Sequence, residues 1–145
     1  MSRPEKYRKV FTPPRMYGFK PFGMALCESA SVILHFDEYE SIKLVNYDNL
    51  SQDEAAGMMN ISRPTFTRIY NKALQKIALA FTEGKVILIN GGNIEFDKEW
   101  FKCKRCYRLI EGMENHVRCE GCKRYGADEL VSIKEEIKQI NMEES

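Results

Sequence analysis

From Gln52 onward the apolar residues recur at helical intervals. Ala55, Met59, Ile61, Phe66 and Ile69 are apolar, and Ala56 is small. Two helices that share a small core need large residues at a few fixed offsets and a small one where their backbones cross. The boundaries agree. Ser51-Gln52-Asp53-Glu54 has the form of a capping box, so a helix starts there and ends near Met59. Asn60 tolerates the left-handed backbone of a sharp turn. Ser62 caps the next helix, and Pro64 sits in its first turn, where a missing amide hydrogen costs little. That helix runs to about Thr82 and stops at Gly84. Within it Phe66, Ile69, Tyr70, Ala73, Ile77 and Phe81 share one side. The pattern predicts a helix-turn-helix.

The flanks are less regular. Residues 1–24 contain Pro4, Pro13, Pro14 and Pro21, a density that forbids a continuous helix. Their basic groups suggest a flexible arm, while Tyr7, Phe11, Tyr17 and Phe19 suggest that part of it packs back on the domain. Val32–Phe36 reads as a short strand. Asp37-Glu38-Tyr39-Glu40 repeats the capping box, with Asp37 as cap, and predicts a helix from Glu38 to Val45. Lys85–Ile89 reads as a strand, Asn90-Gly91-Gly92-Asn93 as a turn, and Ile94-Glu95-Phe96 as the returning arm of a hairpin. Residues from about Asp128 to Asn141 read as a closing helix with Leu130, Ile133, Ile137 and Ile140 on one stripe. The stripe docks on its own domain or forms a homodimer contact.

Charge gives the long helix a function. Opposite its apolar stripe lie Arg63, Pro64, Arg68, Asn71, Lys72 and Gln75, with Thr65 and Thr67 on the flanks, and no carboxylate appears before Glu83. A solvated helix face ordinarily mixes signs. Arg reads guanine edges bidentately, Asn pairs with adenine, and Thr and Lys suit phosphate or the thymine methyl. The face therefore predicts contact with double-stranded DNA. The net charge is only +1, but it is unevenly spread. Residues 1–24 hold six cations against one acid, whereas residues 25–50 hold five acids against Lys43. Arg3, Lys6, Arg8 and Lys9 have the charge for phosphate contacts from an N-terminal arm.

A second chemistry lies in the last third. Cys103-Lys104-Arg105-Cys106 and Cys119-Glu120-Gly121-Cys122 are two C-x2-C turns, twelve residues apart. Such turns converge four thiolates on one ion, the closed tetrahedral set that zinc favours in structural sites. One Zn²⁺ per chain on Cys103, Cys106, Cys119 and Cys122 is expected. Iron in the same cage is the alternative, since ligand type does not separate the two. Lys102, Lys104, Arg105, Arg108, Arg118, Lys123 and Arg124 around the turns either offset the thiolate charge or meet DNA. Trp100 and Phe101 are expected to pack against the metal module. His116 reads as a satisfied or exposed histidine, and Cys27 as a small buried hydrophobe.

The segment Leu50–Leu74, LSQDEAAGMMNISRPTFTRIYNKAL, resembles region four of sigma factors. Together with Arg3-Pro4, Phe19-Lys20-Pro21, Asp37-Glu38, and Gly84-Lys85 leading to Gly91-Gly92-Asn93, it resembles still more the prokaryotic domain of unknown function 134. The resemblance covers about residues 1–94. It implies a winged or sigma-type helix-turn-helix and DNA binding. No segment looks like those with which sigma factors melt DNA.

These readings predict a mainly α protein: a basic arm over 1–24, a helix-turn-helix domain with a β extension over 25–94, and a zinc-ribbon-like module with a C-terminal helix over 95–145. The function expected is a sequence-specific DNA-binding transcriptional regulator with a structural zinc site of four cysteines. A metal- or redox-responsive regulator is the alternative. No nucleophile–base pair is evident and four thiolates leave zinc no open position, so an enzyme is not expected. No apolar run reaches the ~20 residues that span a bilayer. Paired cysteines without a secretory signal fit a reducing cytoplasm.

Overall fold

The computed structural model describes residues 7–25, 31–92, 94–96, 98–103, 109–112 and 130–136. The chain divides into two compact units, Met1–Val10 with Met16–Glu95 and Phe11–Arg15 with Phe96–Ser145.

In the first unit three strands come first along the chain, then three helices, then a fourth strand. The strands are β1 (Arg8–Val10), β2 (Gly18–Phe19) and β3 (Val32–Leu34). Helix α1 (Phe36–Ile42) follows and runs into a π-helical turn, Lys43–Tyr47. Then come α2 (Gln52–Met58), α3 (Arg63–Glu83) and β4 (Ile87–Ile89). Strand β4 is the centre of a three-stranded sheet, antiparallel to β2 and parallel to β3. A parallel pair cannot be joined by a tight turn and needs a long crossover. All three helices lie within the crossover from β3 to β4. Val32, Leu34 and Ile89 are buried, while Ile33 and its register partner Leu88 face outward. This period of two leaves only one apolar face for the helices.

Capping sets the helix boundaries. Ser51 accepts the Glu54 amide at 3.2 Å and so caps α2 at the expected place, but its hydroxyl donates to the Glu54 carboxylate at 3.0 Å, so Glu54 meets the cap side chain rather than the cap amide of a full capping box. Ser62 begins α3 with a weaker contact, 3.4 Å from the Thr65 amide. Gly84 ends it in the left-handed region at φ 69°. At α1 the box is displaced. His35 is the cap residue, and Glu38 rather than Glu40 reaches back to accept the His35 amide at 2.9 Å. Starting the helix one residue before Asp37 lets Phe36 enter the core.

The described residues correct the mainly α expectation. Of them, 44% are helical and 24% are in strands, arranged in three small sheets. The β-hairpin after α3 does not form. Strand β5 (Ile94–Phe96) exists, but both edges of β4 are already occupied, and β5 pairs with β1 instead. The described part of the arm, residues 7–24, is correspondingly built into the fold: β2 pairs with β4, and Gly18 is required there because a Cβ would strike the Ile87 carbonyl.

In the second unit β6 (Trp100–Cys103) is the middle strand between β7 (Leu109–Glu111) and β8 (Leu130–Ser132), both antiparallel to it. The expected closing helix is thus corrected at its start. Leu130–Ser132 is a strand with Cys103 opposite Leu130, because β6 offers an edge to pair and Val131 suits a pleated surface. Helical turns begin only at residues 133–136. No clear zinc ribbon is present among the described residues. Cys106, Cys119, Cys122, His116, Cys27, Ile137 and Ile140 lie outside them.

Candidate nucleic-acid interface

Helices α2 and α3 share a compact core. Leu44, Ala55, Ala56, Met59 and Phe66 are buried together, with Val45, Leu50, Ile61 and Tyr70 packed around them. The turn between the helices is tight. The Asn60 amide donates to the Gly57 carbonyl at 3.1 Å, and Ile61 donates to Ala56 at 3.1 Å. Asn60 adopts φ 58°, the left-handed conformation anticipated from its side chain. Asn49 does the same before α2, which its sequence context did not reveal. Strand β1 leans on this turn, since the Lys9 amide donates to the Met59 carbonyl at 3.2 Å.

Two side-chain bonds lock the N-terminal ends of the helices. Arg63 Nη1 meets Asp53 Oδ2 at 2.9 Å, and Thr67 Oγ1 donates to Gln52 Oε1 at 2.6 Å. Thr65 Oγ1 lies 2.8 Å from Ser62 Oγ. The flanking residues Arg63, Thr65 and Thr67 are therefore already engaged within the protein. Arg68, Asn71, Lys72 and Gln75 are not. All four are exposed on one side of α3, and among the described residues they have no hydrogen-bond or ion-pair partner. Pro64 is exposed one turn earlier.

The apolar side of α3 follows its stripe as far as Ala73. Phe66, Ile69, Ala73 and Ala80 are buried, and Tyr70 and Ile77 are half-buried. Tyr70 stacks on Phe66 with ring centres 6.0 Å apart and donates to Asn46 Oδ1 at 2.8 Å. Phe81 breaks the stripe, being 87% exposed.

Beneath the helices lies a joint of buried charges that sequence reasoning missed. Asp37, Glu38 and Glu40 are all buried. Lys76 of α3 reaches Glu38 Oε1 at 2.6 Å, Arg8 of β1 reaches Asp37 Oδ2 at 3.2 Å, and Lys43 reaches Glu40 Oε1 at 3.4 Å. Arg8, expected on DNA, is thus committed to Asp37. The only signal was the acidic start of α1 facing a lysine at the rear of α3. The ligand atoms of His35, Asp37 and Glu38 lie within 4.8 Å of one another. An ammonium and a guanidinium already stand where a cation would bind, so the cluster reads as a charge-balanced joint rather than a metal site.

Of the expected metal ligands, Cys103 is described. It ends β6, fully buried with Ile110, and Leu130 packs on it. Lys102 beside it is also buried, so its charge faces the protein rather than a nucleic acid. Arg3 and Lys6 lie outside the described residues. No helix among the described residues is long and apolar enough to cross a membrane.

Comparison with known proteins places this arrangement in a family. The model of "Protein of unknown function DUF134" matches residues 1–97. The chain belongs to the DUF134 family. A UPF0251 protein of Clostridium acetobutylicum is 38% identical over 92% of this chain and 93% of its own length. One from Chloroherpeton thalassium is 37% identical over 90% of this chain and 87% of its own. A third, from Caldanaerobacter subterraneus, is 47% identical over 64% of this chain and 79% of its own. No solved structure matches. The DUF134 match ends within two residues of the boundary between the compact units, so it spans the sheet, the helices and the charged joint.

Proposed function

We propose that this DUF134 protein binds double-stranded DNA sequence-specifically and acts as a transcriptional regulator, with α2 and α3 as a helix-turn-helix and α3 as its reading helix. One observation carries the reading. Arg68, Asn71, Lys72 and Gln75 project from one face of α3 with no acidic partner among the described residues, while the neighbouring Arg63 and Thr67 brace that face against α2. Polar groups so braced and otherwise unsatisfied suit base edges and phosphates, whose recognition rewards preorganised donors. Arg68 lies nearer the N-terminus of α3 and is assigned to a base edge. Lys72, one turn later, is assigned to phosphate.

The four cysteines are proposed to hold one structural zinc. Cys103 supports a structural rather than a sensing role, because redox-sensing thiols are reached by solvent and this one is fully buried. Zinc there would supply cross-linking of the second unit, whose sheet is otherwise small.

Selection of bound duplexes from a random pool, at stated salt, gives the site. On that site Arg68→Ala costs about 1–3 kcal/mol and relaxes preference at one base pair. Lys72→Ala weakens all duplexes and lowers the salt slope by about 1. Neither variant melts early. If the pool yields no enriched duplex, or if Arg68→Ala binds the selected site like wild type, the reading fails.

A further inference from the structure

The last turn of α3 overhangs the sheet. Between it and the β2 edge runs an open groove of about 470 Å³, lined almost wholly by carbon, chiefly from Phe19, Pro21, Ile77 and Phe81, with Lys20 and Lys85 also in its wall. Its rim is aromatic and exposed. Phe81 is 87% exposed, Phe19 60%, and Phe22, next to Pro21, is fully exposed. Met24 lies against Gly84 at the groove's end, so the segment from Phe19 to Met24 frames one side and α3 the other.

We propose that this groove is a self-association surface that takes the same groove rim of a second copy of the chain. Three observations favour that occupant. Lys20 and Lys85 are the only polar side chains in the groove's lining, with no acceptor opposite them to orient a small molecule as ligand pockets do. Knob and hollow are adjacent on one surface, the self-complementary layout of a two-fold interface in which Phe81 rings meet near the axis. The rim charges also match across such an axis. Lys20 is exposed with no acidic partner among the described residues, and Glu83 is half exposed beside Lys85 at 3.3 Å. Glu83 of one copy faces Lys20 of the other.

The area fits a reversible dimer. At roughly 200 Å² per aromatic side chain, the exposed fractions of the three phenylalanines amount to about 500 Å² per copy. That is short of the ~800 Å² per partner of a standard stable interface and in the range of transient ones, so the association is expected to be weak and concentration-dependent.

Sedimentation equilibrium of the full chain tests this. The wild-type mass rises from 16.9 kDa toward twice that between about 1 and 100 μM, the weak end of the span that protein interfaces cover. Phe81→Lys stays monomeric over the same range, with an unchanged circular dichroism spectrum because its side chain is exposed in the monomer. Glu83→Lys and Lys20→Glu each weaken the dimer about tenfold, and the double variant regains it. A wild-type protein monomeric at 100 μM overturns the proposal and leaves the groove to another occupant. A dimer that survives Phe81→Lys, or additive losses in the double charge variant, overturns it as well by placing the contact elsewhere.

Discussion

Removing the cation of the buried joint, Lys76→Met, tests the packing of α3 on α1. Glu38 is 3% exposed, and its Oε1 takes both the Lys76 ammonium at 2.6 Å and the His35 amide at 2.9 Å. Its Oε2 is buried with no hydrogen-bond partner among the described residues. Methionine keeps the length and apolar stem of lysine but leaves that carboxylate buried and uncompensated. Breaking a buried pair in this way costs about 3–5 kcal/mol. Lys76 is one-fifth exposed, so water enters after the change and the lower end, about 3 kcal/mol, is expected. Glu38→Gln keeps an oxygen for the His35 amide but removes the anion. Lys76 then turns to solvent, at about 1–2 kcal/mol. The double variant removes both partners of this pair, so no uncompensated charge is left at it, and it should lose only about 1–2 kcal/mol, well short of the sum. The coupling of about 2–3 kcal/mol is read from urea unfolding followed by far-UV circular dichroism, to which the first unit contributes α1, α2 and α3. For an m-value of about 1–3 kcal/mol/M, Lys76→Met moves the midpoint by about 1 M or more without changing the slope. A loss below about 1 kcal/mol in Lys76→Met, or a double variant equal to the sum, refutes the claim that this ion pair holds α3 to α1.

Three further outcomes are expected. Phe66→Ala empties the centre of the α2–α3 core and costs about 3–5 kcal/mol, measured by the same unfolding. Gly84→Ala forces a side chain into left-handed backbone and against Met24, and lowers stability by about 1–2 kcal/mol; an unchanged melt argues against that C-terminal geometry. Cys103→Ser lowers bound zinc from one per chain to none by elemental analysis under reducing conditions, and a metal-free wild-type protein excludes the zinc assignment.

What the residues determined by themselves was local. The helix cap at Ser51, the left-handed turn at Asn60, the start at Ser62 and the stop at Gly84 are all present, because each rests on the chemistry of a few neighbouring side chains. The buried set Ala55, Ala56, Met59 and Phe66 also follows from spacing alone, since helical period fixes which positions share a face. The exposed face at Arg68, Asn71 and Lys72 is the other half of that period. What tertiary structure decided was pairing between distant segments. Strand β4 could not take β5 as a hairpin partner because β2 and β3 already filled its edges, and no local signal reports an occupied edge. Leu130–Ser132 became strand rather than helix for the converse reason, an edge of β6 standing open to it. The charges obey the same rule. Arg8 and Lys76 look like their basic neighbours in sequence, yet they are joined to Asp37 and Glu38 because a strand and two helices converge there. Phe81 continues the apolar period of α3 yet is 87% exposed, because burial depends on what lies opposite a position and not on its period. Helical period and capping act over about four residues, whereas edge pairing and burial of charge depend on partners tens of residues away.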